Sequence, residues 1–149
     1  MPIKKKLKLK WKRLPGNGTA LPTRSTPGSA GFDIELPQSE HFSASTIREV
    51  KLGWCVEIPE GYMGFLRIRS SSSTGDNQLI MQSTGVIDSD YRGELKAYIT
   101  QYRRGYPVGF DQGDRIVQLL IIPIPELDSI EVKELAESER EGGFGSTGK

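Results

Sequence analysis

An all-β fold, built as a sandwich or barrel, is what this sequence predicts, and three observations predict it. Seventeen glycines and nine prolines cut a chain of 149 residues into short pieces, and the stretches between them favour strands. Turn signals recur at Pro15-Gly16-Asn17-Gly18, Pro27-Gly28, Pro59-Glu60-Gly61, Gly105-Tyr106-Pro107 and Asp111-Gln112-Gly113, where glycine and proline favour chain reversal. No stretch shows long helical periodicity, and only residues 71–77 leave room for a turn of helix. Many short strands at close spacing suit a sandwich or barrel.

The elements follow in order. From Leu7 to Leu14 apolar and basic side chains alternate, which is the period of a half-buried strand. The same alternation argues against reading Lys4-Lys5-Lys6-Leu7-Lys8-Leu9-Lys10-Trp11-Lys12-Arg13 as a nucleic-acid patch, since it turns the lysines to solvent as one face of a strand. A targeting role for Lys4 to Lys6 stays open. Further strands are expected at residues 32–35, 46–51, 53–58, 62–68, 79–82, 86–87, 94–102, 115–122 and 130–132. From about Glu137 the strand pattern stops. The expected organisation is one domain over residues 1–136 and a mobile glycine-rich arm over 137–149, since a chain of this length holds one core.

Composition narrows the function. The net charge is +1, so no global field favours nucleic acid or an anionic membrane. No apolar run approaches the ~20 residues that span a bilayer. The basic N-terminus lacks the continuous apolar region of a secretory signal. Cys55 is the only cysteine and His41 the only histidine, which leaves no internal disulfide and no thiolate or histidine-rich metal cluster. An intracellular, cytoplasmic setting is expected, or a nuclear one in a eukaryotic or viral context.

Chemistry concentrates in Gly85-Val86-Ile87-Asp88-Ser89-Asp90-Tyr91-Arg92-Gly93-Glu94. Two apolar positions deliver the Asp88 carboxylate to the end of a short strand, and a polar connection leads into a second strand, a pattern that reads as a β-hairpin. Asp90 reads as the residue that caps the turn. An acid and an aromatic ring on one loop suit holding a flat polar ring by main-chain groups while the carboxylate acts beside it. The C-terminal Glu141-Gly142-Gly143-Phe144-Gly145-Ser146-Thr147-Gly148 offers unhindered N–H groups for phosphate and one ring for stacking. Residues 143–149 also fit the start of a P-loop, but no Ser or Thr and no helix follow Lys149 in this sequence, so that reading fails.

These two segments resemble the trimeric all-β dUTP nucleotidohydrolases (dUTPases), a family with five ordered motifs. The other three occur here as Gly28-Ser29-Ala30-Gly31-Phe32-Asp33-Ile34, Arg69-Ser70-Ser71 and Gly113-Asp114-Arg115-Ile116-Val117-Gln118-Leu119. The resemblance implies a distorted jelly-roll-like β-barrel, a homotrimer with exchanged C-terminal arms, and Mg²⁺ as cofactor. It implies hydrolysis of dUTP to dUMP and pyrophosphate, which limits uracil in DNA and supplies dUMP for thymidylate synthesis. Three chains would form each site, with no nucleic acid or membrane as partner.

It also implies roles. Asp88 matches the general base that activates water for attack on the α-phosphorus. Tyr91 would lie under the deoxyribose and exclude UTP. The main chain at Gly85, Val86, Ile87 and Lys96 would read uracil, with Gln82 near the base or its waters. Arg69, Ser70 and Ser71 would hold phosphates, and Gln118 would order the catalytic water. Asp33 would meet magnesium through the ion's waters. From the tail, Arg140 would reach the γ-phosphate and Phe144 would stack on uracil, with Gly145 and Ser146 closing the site. Two departures stand out: Ser71 occupies a usual glycine position, and only Glu141 separates Arg140 from Gly142.

Two rivals remain at this level, with a nucleic-acid-binding module resting on residues 4–13 a weaker third. A dCTP deaminase would need a catalytic glutamate where Tyr98 falls by spacing from Asp88. A regulatory nucleotide-binding protein would bind without turnover, and the intact Asp88 argues against loss of catalysis.

Overall fold

The computed structural model describes residues 6–75, 77–82, 85–102 and 105–139. Its elements run β1 (Lys10–Arg13), β2 (Gly31–Glu35), β3 (Glu40–Phe42), β4 (Arg48–Glu57) and β5 (Tyr62–Ile68). After these come α1 (Ser70–Ser73), β6 (Leu79–Met81), β7 (Val86–Ile87), β8 (Glu94–Gln101), β9 (Val108–Phe110) and β10 (Arg115–Pro123). Two four-stranded antiparallel sheets, ordered β1-β4-β8-β6 and β2-β10-β5-β7, are joined by the small β3-β9 ladder.

Strand parity builds the core. Leu95, Ala97 and Ile99 of β8 are fully buried while Lys96 and Tyr98 between them are exposed, the alternation a pleated strand dictates. From the second sheet Ile34, Leu66, Val117 and Leu119 meet them in one cluster with Phe42 of β3. Each such side chain contributes about 1.5–3 kcal/mol relative to exposure, so a one-residue slip of β8 would turn its whole buried set outward.

Several expectations need correcting. The strand predicted at 7–14 begins only at Lys10. The two strands predicted at 46–51 and 53–58 are one, β4, interrupted by a bulge between Lys51 and Cys55. Gly53 makes that bulge at φ +72°, with Asn17 so close that a Cβ would lie 2.6 Å from its Nδ2. β7 and β8 are not a hairpin: β7 pairs with β5 in the second sheet, and β8 pairs with β4 and β6 in the first. The loop of residues 88–93 therefore arches between sheets. Residues 130–132 form no strand, and Ile130 remains 77% exposed. β3 and β9, three residues each, had no signal strong enough to read.

Candidate active site

Gly85 sets up the first half of the site. It sits at φ +70°, and a Cβ there would come 2.2 Å from the Leu66 carbonyl oxygen. Only glycine lets the chain approach β5 so closely, and the Gly85 carbonyl accepts a hydrogen bond from the Leu66 N–H at 2.7 Å. The chain then runs as β7 and delivers Asp88 to the arch. Asp88 is exposed, and among the described residues no side chain or main-chain donor holds its carboxylate. The arch is fastened elsewhere. The Tyr91 N–H donates to the Asp88 carbonyl at 3.1 Å, and the Arg92 guanidinium donates to the carbonyls of Ser89 and Tyr91. Among the described residues the side-chain donor to the carbonyls of Ser89 and Tyr91 is Arg92, and Asp90 makes no such cap.

The Tyr91 ring is fixed in place. Its hydroxyl donates to the Glu94 carbonyl at 3.0 Å, and a Cβ on Gly93 would lie 2.5 Å from that hydroxyl. Between arch and β8 lies a cavity of about 420 Å³, within the size range of small-molecule sites. Gly85, Val86, Ile87, Asp88, Tyr91 and Lys96 all line it, together with Glu94 and Tyr98. The predicted ring-binding residues thus converge on one space. Gln82 does not line it; its main-chain N–H ties to the Tyr98 carbonyl at 2.8 Å beside it. Asp88 also borders a wider hollow of about 700 Å³ with Glu57, Tyr62 and Arg92.

The second half is cationic. Asp33, 8% exposed, sits opposite Gln118 in the β2-β10 register. Its Oδ1 meets Arg69 Nε at 3.1 Å, and its Oδ2 accepts from the Ser25 hydroxyl at 2.7 Å with Arg115 at 3.8 Å. Arg69 is further fixed by Nη1 to the Arg115 carbonyl at 3.0 Å and by its main-chain N–H to the Ile116 carbonyl at 2.8 Å. Two guanidinium groups are thereby bracketed by one carboxylate, which suits oxyanions. Arg69, Ser71 and Arg115 line a hollow of about 410 Å³ with Ser72 and Asn77.

Ser70 and Ser71 begin the single turn of α1. Ser70 spends its carbonyl on Ser73 and Thr74, while its side chain is exposed. Ser71 fits the glycine position without strain because it is helical there. The Gln118 side chain lies over Gly31, where a Cβ would fall 2.3 Å from its Oε1. Arg140, Phe144, Gly145 and Ser146 lie outside the described residues.

The two halves do not meet within one chain. Asp88 follows Ile87, which pairs with Gly64 near the start of β5, and Arg69 follows the end of that strand. Six residues of strand, roughly 20 Å at ~3.3 Å per residue, separate their positions along β5.

Four residues beyond the expected set belong to this description. Ser25 and Arg115 complete the cationic half. Tyr98 lines the cavity, and its hydroxyl donates to Glu49 Oε2, behind that wall, at 2.5 Å. Arg115 lies within a recognisable motif, whereas Glu49 and Tyr98 are partners only through the β4-β8 register, which local patterning does not reveal.

Among the described residues no group of three or more His, Cys, Asp or Glu side chains could hold a metal ion, and no helix is long and apolar enough to cross a membrane.

The dUTPase family model matches residues 17–148. The deoxyuridine 5'-triphosphate nucleotidohydrolase of Anaeromyxobacter sp. (strain Fw109-5) is 37% identical over 150 residues and covers all of both chains. That of Gloeobacter violaceus is 36% identical over 132 residues, covering 87% of this chain and 89% of its own. A mutant Staphylococcus bacteriophage 80alpha dUTPase with dUpNHpp aligns at a TM-score of 0.82 and 30% identity, covering 95% of this chain and 98% of that one. A mutant dUTPase from phage phi11 of S. aureus, whose structure reveals how a structural Mg(II) ion is coordinated, aligns at a TM-score of 0.75 and 28% identity, over 86% of this chain and 98% of that one.

Proposed function

The chain belongs to the dUTPase family and hydrolyses dUTP, and from that premise we propose that it works as a homotrimer in which Asp88 of one subunit faces the arginines of another. The observation that carries this reading is the cavity of about 420 Å³ where Asp88, Tyr91 and the main chain of residues 85–87 come together.

Asp88 is the general base. Its exposed carboxylate is available to take a proton from water as that water attacks the α-phosphorus, and such a base contributes roughly 10²–10⁴-fold. Gln118 helps order the water. Arg69 and Arg115, with Ser70 and Ser71, hold the phosphates, and Asp33 keeps the Arg69 guanidinium turned toward them. Planar guanidinium donors match phosphate oxygens well.

Tyr91 lies under the deoxyribose and leaves no room for a 2′-hydroxyl. Uracil is read by the main chain of residues 85–87 and of Lys96, with Gln82 near the base or its waters. Arg140, Phe144, Gly145 and Ser146 close the site from the arm of residues 137–149, which a third subunit supplies.

A protein-only magnesium cage does not fit these residues, but a hydrated ion carried by the triphosphate does. Mg²⁺ keeps several waters and uses few carboxylates, and an ionised carboxylate has about four lone-pair positions, so Asp33 retains capacity for a metal-bound water. When bound, the ion neutralises phosphate charge. The separation of Arg69 and Asp88 along β5 supports sharing between subunits, because one α-phosphate has to reach both. The reading carries with it an intracellular, cytoplasmic setting.

The test is pyrophosphate release from dUTP, dTTP, dCTP and UTP with Mg²⁺, on wild type and Asp88→Asn. Turnover of dUTP alone, lowered ~10²–10⁴-fold in the variant, is expected. Full activity in Asp88→Asn would remove Asp88 from the mechanism.

A further inference from the structure

Tyr98 is not part of the motif loop, yet it lines the same cavity as Tyr91 and Asp88. It stands directly opposite Glu49 in the β4-β8 register. Its hydroxyl donates to Glu49 Oε2 at 2.5 Å, and Lys96, one step away on the same face of β8, reaches Glu49 Oε1 at 3.4 Å. Lys51 and Lys96 also pair directly across the two strands. Like charges in that position repel, and Glu49 beside them offsets the repulsion.

Glu49 therefore pins a ring that is otherwise 41% exposed. Both tyrosines of the cavity commit their hydroxyl hydrogens to the protein, Tyr91 to the Glu94 carbonyl and Tyr98 to Glu49. To a ligand they offer fixed ring surfaces and no free donor.

We propose that Tyr98 is a specificity-determining wall of the pyrimidine pocket and that Glu49 is its positioning residue, an inference that rests on the dUTP-hydrolase reading of this cavity. A base one methyl group larger than uracil has to displace the Tyr98 ring and break its bond to Glu49. A single methylene decides about 10–200-fold in a shaped apolar pocket.

The experiment measures kcat and KM separately for dUTP and dTTP with wild type, Tyr98→Ala, Tyr98→Phe and Glu49→Ala. In Tyr98→Ala the preference for dUTP over dTTP, as a ratio of kcat/KM, falls at least about tenfold, with a lower KM for dTTP carrying the change. Tyr98→Phe restores most of the preference because the ring remains, and Glu49→Ala falls between. A ratio within about twofold of wild type in Tyr98→Ala would overturn the wall. So would a ratio that falls only because kcat for dUTP collapses, or a Tyr98→Phe variant indistinguishable from Tyr98→Ala. A wild type without dUTP turnover would instead sink the functional reading, and this inference with it.

Discussion

Arg69 and Asp88 flank opposite ends of β5, so the arginine cluster and the Asp88 arch lie apart along one strand. Asp88 is set by the pairing of Ile87 with Gly64, and Arg69 by its bond to the Ile116 carbonyl just past the same strand. A strand is stiff over this length. On the proposed reading neither end suffices alone, which is what a site shared between subunits requires.

The sugar filter is open to a direct test. Tyr91 is held by its hydroxyl on the Glu94 carbonyl, beside Gly93, and on the proposed reading its ring blocks a 2′-hydroxyl. Tyr91→Ala raises kcat/KM for UTP relative to dUTP by about tenfold or more. An unchanged ratio in parallel pyrophosphate-release assays would place the filter elsewhere.

Arg69 is held at Nε by Asp33 and at Nη1 by the Arg115 carbonyl, and on the proposed reading it binds phosphate through the geometry of its fork. Hydrogen bonds to charged groups are worth about 1.5–3 kcal/mol, so Arg69→Ala raises KM for dUTP roughly 10–100-fold. Arg69→Lys recovers little, since an ammonium cannot reproduce the planar pair of donors. Steady-state kinetics of the two variants distinguishes a fork from a simple charge.

Gly85→Ala tests the backbone of the uracil-facing segment. At φ +70°, with a Cβ 2.2 Å from the Leu66 oxygen, alanine has to break the bond to the Leu66 N–H or displace β5. A strained φ alone costs about 1–3 kcal/mol. Thermal melting falls, and dUTP affinity falls with it as β7 lifts from β5.

The Tyr98–Glu49 bond makes a pH signature. That bond holds the phenol above the ordinary tyrosine value of 10.0 and, with Lys96 and Lys51 adding their attraction, holds the Glu49 carboxyl below 4.5. For a depressed carboxyl, stability is present above the unfolded value and is lost as pH falls through the folded one. For a raised phenol it is present below the unfolded value and lost as pH rises through the folded one. Ultraviolet difference titration of wild type against Tyr98→Phe is expected to show that the phenol lost in the variant ionises above 10.0. A lost ionisation at or below 10.0 would contradict the assignment.

Much of this was legible in the sequence because motifs and period-2 alternation are local. β5, β8 and β10 followed from their buried residues, and the loop of residues 85–94 announced its chemistry. Pairing partners were not legible. Two strands joined by six residues look like a hairpin, but β7 pairs with β5 through Gly64 and Phe65, far back in the sequence. Gly53 looked like a break between strands and is a bulge within one, since glycine alone tolerates its positive φ beside Asn17. Residues 130–132 alternate correctly yet find no partner strand among the described residues.

The site follows the same rule. Asp88, Tyr91 and Asp33 lie in motifs and could be named beforehand. Glu49 and Tyr98 are 49 positions apart and become neighbours only when β4 and β8 align. Ser25 gains meaning only when the bridge between Thr23 and Asp33 brings its hydroxyl to the carboxylate.

The most direct measurement of a site shared between subunits is complementation. Asp88→Asn and Arg69→Ala chains are co-expressed and assayed for pyrophosphate release at dUTP far below the raised KM of Arg69→Ala, where each is strongly impaired alone. Mixed assemblies then contain some sites in which both defects fall on other subunits, and activity well above either parent is the expected result. A mixture no more active than its parents, with mixed assemblies verified by mass spectrometry, would mean that each chain works alone and would contradict the account.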